Sequence, residues 1–272
     1  MRASKHIPMA GAFLCALWLL TTVTLAEPLR VLCTTTQLGA ATTAIGDNDV
    51  AVTTIIPFGV CPGHFDLSPR QAEKLRQADM VFFHGYERFL TTLAAGMPDM
   101  AVQRVEVAGN WMIPAVHRQG ASVLTELLSA KRPERREQFA ARLAQYLRDI
   151  DAAVAAQAPI VAALRDRPVL CAAMNSDVVA DLGCAVAGVF PRDEELSAQR
   201  LAALISTGKK AHVSLVIDNL QSGGKGGATI ARELGVPLVV LTNFPTSEGY
   251  PATLRQNAAA LQAALTPAKA AP

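Results

Sequence analysis

The feature that most constrains this chain is a helical period held without interruption from Glu134 to Asp166. Phe139, Leu143, Tyr146, Leu147, Ile150, Val154, Ala158, Val161 and Leu164 recur at steps of three and four, while Arg135, Arg136, Glu137, Arg142, Arg148, Asp149 and Asp151 take the opposite face. One apolar stripe of that extent predicts a single amphipathic helix of roughly 50 Å at about 1.5 Å per residue. Pro159 removes one backbone bond and predicts a bend there. The Arg165-Asp166-Arg167-Pro168 cluster predicts the stop. Such a connection far exceeds the roughly two to six residues usual inside an α/β unit, so it reads as a strut between two lobes. An ordinary long helix packed on one continuous domain is the alternative.

Segments on either side share one grammar. Ahead of the strut come a strand Leu29 to Cys33, a helix through Gly46 and a strand Val50 to Ile56. A loop rich in glycine and proline then runs to Pro69, followed by a helix Arg70 to Ala78 capped by Ser68 and by strands Met80 to His84 and Gln103 to Val107. Beyond it, strands at Val169 to Ala172, Ala185 to Val189, Ser214 to Ile217 and Leu238 to Leu241 alternate with helices at Ser176 to Leu182, Ala198 to Thr207, Ala228 to Leu234 and Pro251 to Leu265. This alternation predicts an α/β protein of two lobes, each a parallel sheet with flanking helices. The boundaries fall at 27–131 for the first lobe, 132–166 for the linking helix and 167–272 for the second. Loops that follow parallel strands gather at one sheet edge, where ligands bind. Two such edges facing each other predict a shared cleft that holds a small ligand.

Residues 1–26 read as an export signal. Arg2 and Lys5 precede the apolar run Met9 to Leu20, and Thr24-Leu25-Ala26 offers a small-residue cleavage site. The run is shorter than the roughly 20 residues a membrane span needs. Cys15 lacks the preceding small residue of a lipoprotein signal, so a soluble periplasmic protein and a monomer are expected. The whole chain carries 25 basic and 23 acidic residues, and loss of Arg2 and Lys5 with the leader leaves 23 of each. That balance, without any long basic run, argues against a nucleic-acid partner.

Three of the four mature cysteines are placed by this fold near one crevice. Cys33 and Cys171 end the first strand of each lobe, and Cys61 lies in the loop after the second strand, with Met174 just beyond Cys171. Thiolate and thioether suit Cu(I) or Zn(II) better than Mn(II). In an oxidising compartment the alternative is a disulfide between Cys33 and Cys61, with Cys171 and Cys184 as buried thiols. Cys61 with His64 has the make-up of a nucleophile and base, but nothing orients the histidine or supplies an oxyanion site, so no enzyme is expected. Gly223-Gly224-Lys225-Gly226-Gly227 follows a strand and opens a helix. It lacks the Ser or Thr of a P-loop and the third glycine of a dinucleotide fingerprint, and reads as a flexible turn.

Taken together these segments resemble the periplasmic solute-binding proteins of metal-ion ABC transporters, the zinc and manganese cluster with ZnuA-like and TroA-like members. Cys61 to Pro69, the next helix and Ala78-Asp79-Met80-Val81-Phe82-Phe83-His84-Gly85 are similar to that family's Asp-Pro-His-x-Tyr-Glu-Pro-x-Pro segment, its helix and its Ala-Asp-Leu-Val-Phe-x-Asn-Gly. Asn110-Trp111-Met112-Ile113-Pro114 resembles its His-x-Trp-x-x-Pro region, Ser214 to Ser222 its ligand-delivering strand, and Tyr250 with Asn257 its closing Tyr and Asn. The departures fall on the metal ligands. Gly63 or His64 stands at the first histidine depending on a one-residue shift, Asn110 at the second, and Ala172, Met174 or Asn175 at the third. Asp218 matches the final acidic ligand, and ends an apolar strand that would aim it into the cleft.

The resemblance implies capture of a transition-metal ion, zinc foremost and copper next, and delivery to an ABC permease in the inner membrane. A metal chelate or a small organic molecule is the alternative cargo for a cleft with so few histidines. The candidate ligands are His64 and Asp218, then Cys61 if reduced, with Met174 and Asn175 placed by position alone. His84, His117 and His212 read as strand-end or surface residues.

Overall fold

The structure, a computed structural model, describes residues 27–87, 89–90 and 101–266. The export leader lies outside them, as does the side chain of His64. β1 (Leu29–Cys33), β2 (Val50–Thr54), β3 (Met80–Phe83) and β4 (Val102–Arg104) form a parallel sheet in the order β2-β1-β3-β4. β5 (Pro168–Ala172), β6 (Ala185–Phe190), β7 (Leu215–Asn219) and β8 (Leu238–Leu241) repeat that order as β6-β5-β7-β8, also all parallel. In each sheet the chain starts at an inner strand and builds outward both ways. The two sheets therefore have switch points, between β1 and β3 and between β5 and β7, and a crevice opens at such a point beyond the carboxyl ends of the strands.

Period-two alternation splits each sheet between two cores. Leu29, Val31 and Cys33 face α1 (Thr36–Gly46), and Leu32 and Val81 face α2 (Pro69–Arg76). Ser68 caps α2 and Gln71 reaches back to it, a capping box that fixes where the long loop ends. In the second sheet Val169, Cys171, Leu215 and Ile217 share one core, and Leu170, Ala172 and Val216 share the other. The second core is closed by α7 (Ala198–Lys210) and α8 (Lys225–Leu234), while α6 (Ser176–Asp181) packs Val179 on the first.

The strut differs from the reading of its period. It is α4 (Arg136–Ala156), a break at Gln157, and α5 (Ala158–Leu164). Phe139, Tyr146, Ile150 and Ala153 of α4 lie in the first lobe's core, and Ile160 and Leu164 of α5 lie in the second's. Arg142 of α4 donates to the carbonyl of Gly46 at 2.9 Å and to the carboxylate of Asp49 at 2.8 Å, tying α4 to the carboxyl end of α1. A further helix, α3 (Pro114–Lys131), packs against both α1 and α4, in a stretch with no clear apolar period.

The last helix, α9 (Tyr250–Leu265), spans the two lobes a second time. Its Tyr250 and Leu254 are embedded in the first lobe's core, and its Leu261 in the second lobe's. No helix among the described residues is long and apolar enough to cross a membrane.

Candidate solute-binding cleft

Segments at or after all eight strands supply the walls of one cavity of about 570 Å³. Gln37 follows β1, His84 and Tyr86 follow β3, and Asn110 and Trp111 follow β4. From the second lobe come Ala173, Met174 and Asp177 after β5, Asn219 and Gln221 at and after β7, and Asn243 and Phe244 after β8. Arg192, just past β6, and Cys61, in the loop after β2, complete it.

The lobes are bonded to each other at this cavity. The Gln37 side-chain amide donates to the Asn243 carbonyl at 2.9 Å, and that of Asn110 to the Met174 carbonyl at 3.1 Å. The Tyr250 hydroxyl donates to the Met112 carbonyl at 3.0 Å. The second-lobe wall is an amide network. Gln221 accepts from the Asn243 backbone N–H at 3.2 Å and donates to the Thr242 hydroxyl at 3.1 Å, and Asn219 donates to Ser222 at 2.8 Å.

The first-lobe wall is aromatic. The His84 ring stacks on Tyr86, centroids 5.0 Å apart and planes 8° apart, and meets Trp111 edge-on at 4.9 Å. One His84 nitrogen lies 2.9 Å from the Thr35 hydroxyl. Burial pushes the His84 imidazole down to about 4, so it is neutral at ordinary pH, although nearby Glu87 opposes the shift. Glu87 is itself buried and accepts from the backbone N–H groups of His84 and Gly85, holding the turn after β3. Trp111 is seated on Gly120, where a Cβ would stand 2.2 Å from the indole ring.

The residues singled out in the sequence divide. Cys61 and Met174 line the cavity, Cys61 half-buried and Met174 exposed. His64 ends the short 3-10 turn Pro62–His64 beside Cys61, its side chain outside the described residues. Asn175 is buried and donates to the Asp218 carbonyl at 3.1 Å rather than lining the cavity. Asp218 does not reach it either, because it shares a strand face with Val216 and so points at α8. One carboxylate oxygen accepts from the Asn219 N–H at 2.7 Å, and the other would touch any Cβ at Gly227, at 2.2 Å. Burial raises the Asp218 pKa.

The glycine-rich turn is explained by that geometry. Asp193 accepts from the backbone N–H groups of Lys225 at 3.0 Å and Gly226 at 2.7 Å, so two carboxylates occupy the start of α8. Side chains at Gly223, Gly226 and Gly227 would collide with Asp193, Leu196 and Asp218 respectively. The turn is a built cap rather than a flexible one.

The expected sulfur cluster is absent. Cys33 sits in the first lobe's core with its thiol 3.5 Å from the Thr42 hydroxyl, and Cys171 sits in the second lobe's core. Both are on the helix-facing side of their strands, and burial pushes both thiols up to about 12. Cys33, Cys61, Cys171 and Cys184 are all free, so Cys33 and Cys61 form no disulfide. Nor is His117 at the surface; it is fully buried, whereas His212 is exposed. Among the described residues no three His, Cys, Asp or Glu side chains gather as a metal would need. The amides of Gln37, Asn219, Gln221 and Asn243 escaped the sequence reading. Their signal is position at or within a few residues of the carboxyl end of a strand.

Two parallel sheets whose switch points share one cavity define a two-lobed solute-binding protein. The chain belongs to the ZnuA family, described as zinc-uptake complex component A, periplasmic, which matches residues 31–264. Among solved structures it is similar to a crystal structure of ZnuA, at 21% identity over 88% of this chain and 98% of that one, TM-score 0.74. It is also similar to the periplasmic zinc-binding protein TroA from Treponema pallidum, at 17% identity over 88% and 99%, TM-score 0.77. A cadmium-bound periplasmic metal-binding protein from Candidatus Liberibacter asiaticus shares 14% identity over 87% and 100%, TM-score 0.76. At these identities the likeness shows the fold. No curated protein sequence matches.

Proposed function

We propose that this protein is the exported binding component of an ABC importer, capturing a transition metal, zinc foremost, between its lobes and passing it to a permease in the inner membrane. Family membership supports the metal, and the observation that carries the reading is the convergence of strand ends from both lobes on one cavity. His64 and Cys61 offer donors from the first lobe and Met174 one from the second. The protein has no catalytic role in this reading.

The test is equilibrium dialysis of the reduced, metal-free mature chain against zinc, copper, nickel, manganese and iron, each as the ion and with small chelators, read by elemental analysis. Retention of zinc at micromolar concentration is expected, and retention of no metal in either form would sink the proposal. Cys61→Ser and His64→Ala each weaken retention tenfold or more, about 1.4 kcal/mol. Asp218→Ala instead lowers the melting point of the empty protein, since Asp218 is packed against α8.

A further inference from the structure

Three buried side chains on the cavity wall keep a polar atom without a partner: the indole nitrogen of Trp111 and the side-chain oxygens of Asn219 and Asn243. These residues are 3%, 2% and 5% exposed. Leaving such an atom unpaired costs about 1–3 kcal/mol, so three around one cavity mark a place where a ligand supplies the missing bonds. The indole N–H can only donate and requires an acceptor on the ligand. Asn219 already donates its amide to Ser222, and its side-chain oxygen, without a partner, requires an N–H or O–H from the ligand. Asn243 is held by its backbone, through Gln37 and Gln221, which leaves its side chain for the ligand.

A bare ion has no hydrogen bonds to offer. The cavity, at about 570 Å³, is also in the range of roughly 300–1,000 Å³ that small organic ligands fill. Its charged lining is one arginine, Arg192, and one aspartate, Asp177, which suits a ligand of no net charge. The stacked faces of His84 and Tyr86 add a flat apolar wall.

We propose that the cleft takes its divalent metal as a neutral chelate with amino-acid ligands, whose carboxylate oxygens accept from Trp111 and whose amine N–H groups donate to Asn219 and Asn243. This rests on the metal-uptake reading above and specifies the form of its cargo. Cys61 remains on the wall as a protein donor to the chelated metal.

Equilibrium dialysis of the reduced mature chain against zinc chloride, zinc with two equivalents of L-histidine, and L-histidine alone tests it, with zinc and histidine both counted in the protein compartment. Joint retention of zinc and histidine is expected, with at least tenfold tighter uptake than zinc chloride at matched free zinc. Zinc held equally well without histidine overturns the chelate and leaves the metal-uptake reading standing. Histidine held without zinc, or neither held, overturns both. Trp111→Phe and, separately, Asn243→Ser are each expected to weaken chelate retention about tenfold. Asn243→Ser leaves the backbone bonds in place, so unchanged retention in that variant overturns the assignment even if Trp111→Phe fails to fold.

Discussion

His117 uses both ring nitrogens inside the first lobe: Nδ1 lies 3.2 Å from the Trp111 carbonyl and Nε2 lies 2.8 Å from the Tyr146 hydroxyl. Nδ1 therefore carries the proton and Nε2 accepts from the tyrosine. The ring stacks on Tyr250 at 3.6 Å, and burial pushes its pKa from an ordinary 6.5 down to about 3. Between those values the unfolded chain binds a proton that the folded chain refuses. His117 thus contributes in full above pH 6.5 and ever less as pH falls toward 3, with an upper bound of roughly 5 kcal/mol. The melting temperature of the metal-free protein is expected to drop as pH is lowered from 7 toward 4, and His117→Phe to flatten that slope; an unchanged slope contradicts the assignment. None of this burial is legible from a histidine set between Val116 and Arg118. Asp218 misled for a different reason. Its residue type and place at a strand end pointed to the cleft, yet counting by two from Val216 turns it toward α8 and hands the cleft to Asn219. The same parity removes Cys33 and Cys171.

Nearly every strand and helix was legible, because alternating short apolar runs and amphipathic segments follow from burying both faces of a parallel sheet. The break at Gln157 is legible only as a bend at Pro159, not as the end of a helix. Its cause, Pro159, is visible two residues on: proline has no N–H for the carbonyl of Ala155 and its ring crowds that carbonyl, so α4 ends at Ala156. The apolar stripe continues in phase across the break, and sequence period cannot report that its two parts lie on different cores. α3 was hidden because Gly120, Thr125, Ser129 and His117 stand among its buried positions, where polar types dilute the pattern. At the start of α8 the close approach of Asp218 to Gly227 gives a sharp expectation. Gly227→Ala introduces a Cβ that must displace the carboxylate or the helix, with a loss of about 1–3 kcal/mol in denaturant unfolding. A neutral outcome would show that β7 and α8 separate at little cost.

At the scale of the molecule, the order of lobes, the shared edge and the long helix that joins the lobes are legible, whereas the second connection through α9 is not. α9 is fixed in both cores, and Gln37 and Asn110 bond the lobes across the cleft. Loading is therefore expected to order loops without wide closure, and scattering curves of empty and loaded protein to nearly superimpose; a large fall in radius of gyration contradicts this. The route of α9 also sets an order of events during synthesis. All the strands and the helices α1 to α4 of the first lobe have emerged by Ala156, yet Tyr250, which stacks on His117, and Leu254 arrive only with the last helix. Until then the early lobe has a hole at its centre and an imidazole without its stacking partner. Its final consolidation waits for nearly the whole of the second lobe, so a chain cut short before Tyr250 would leave both lobes, not one, exposed to proteases.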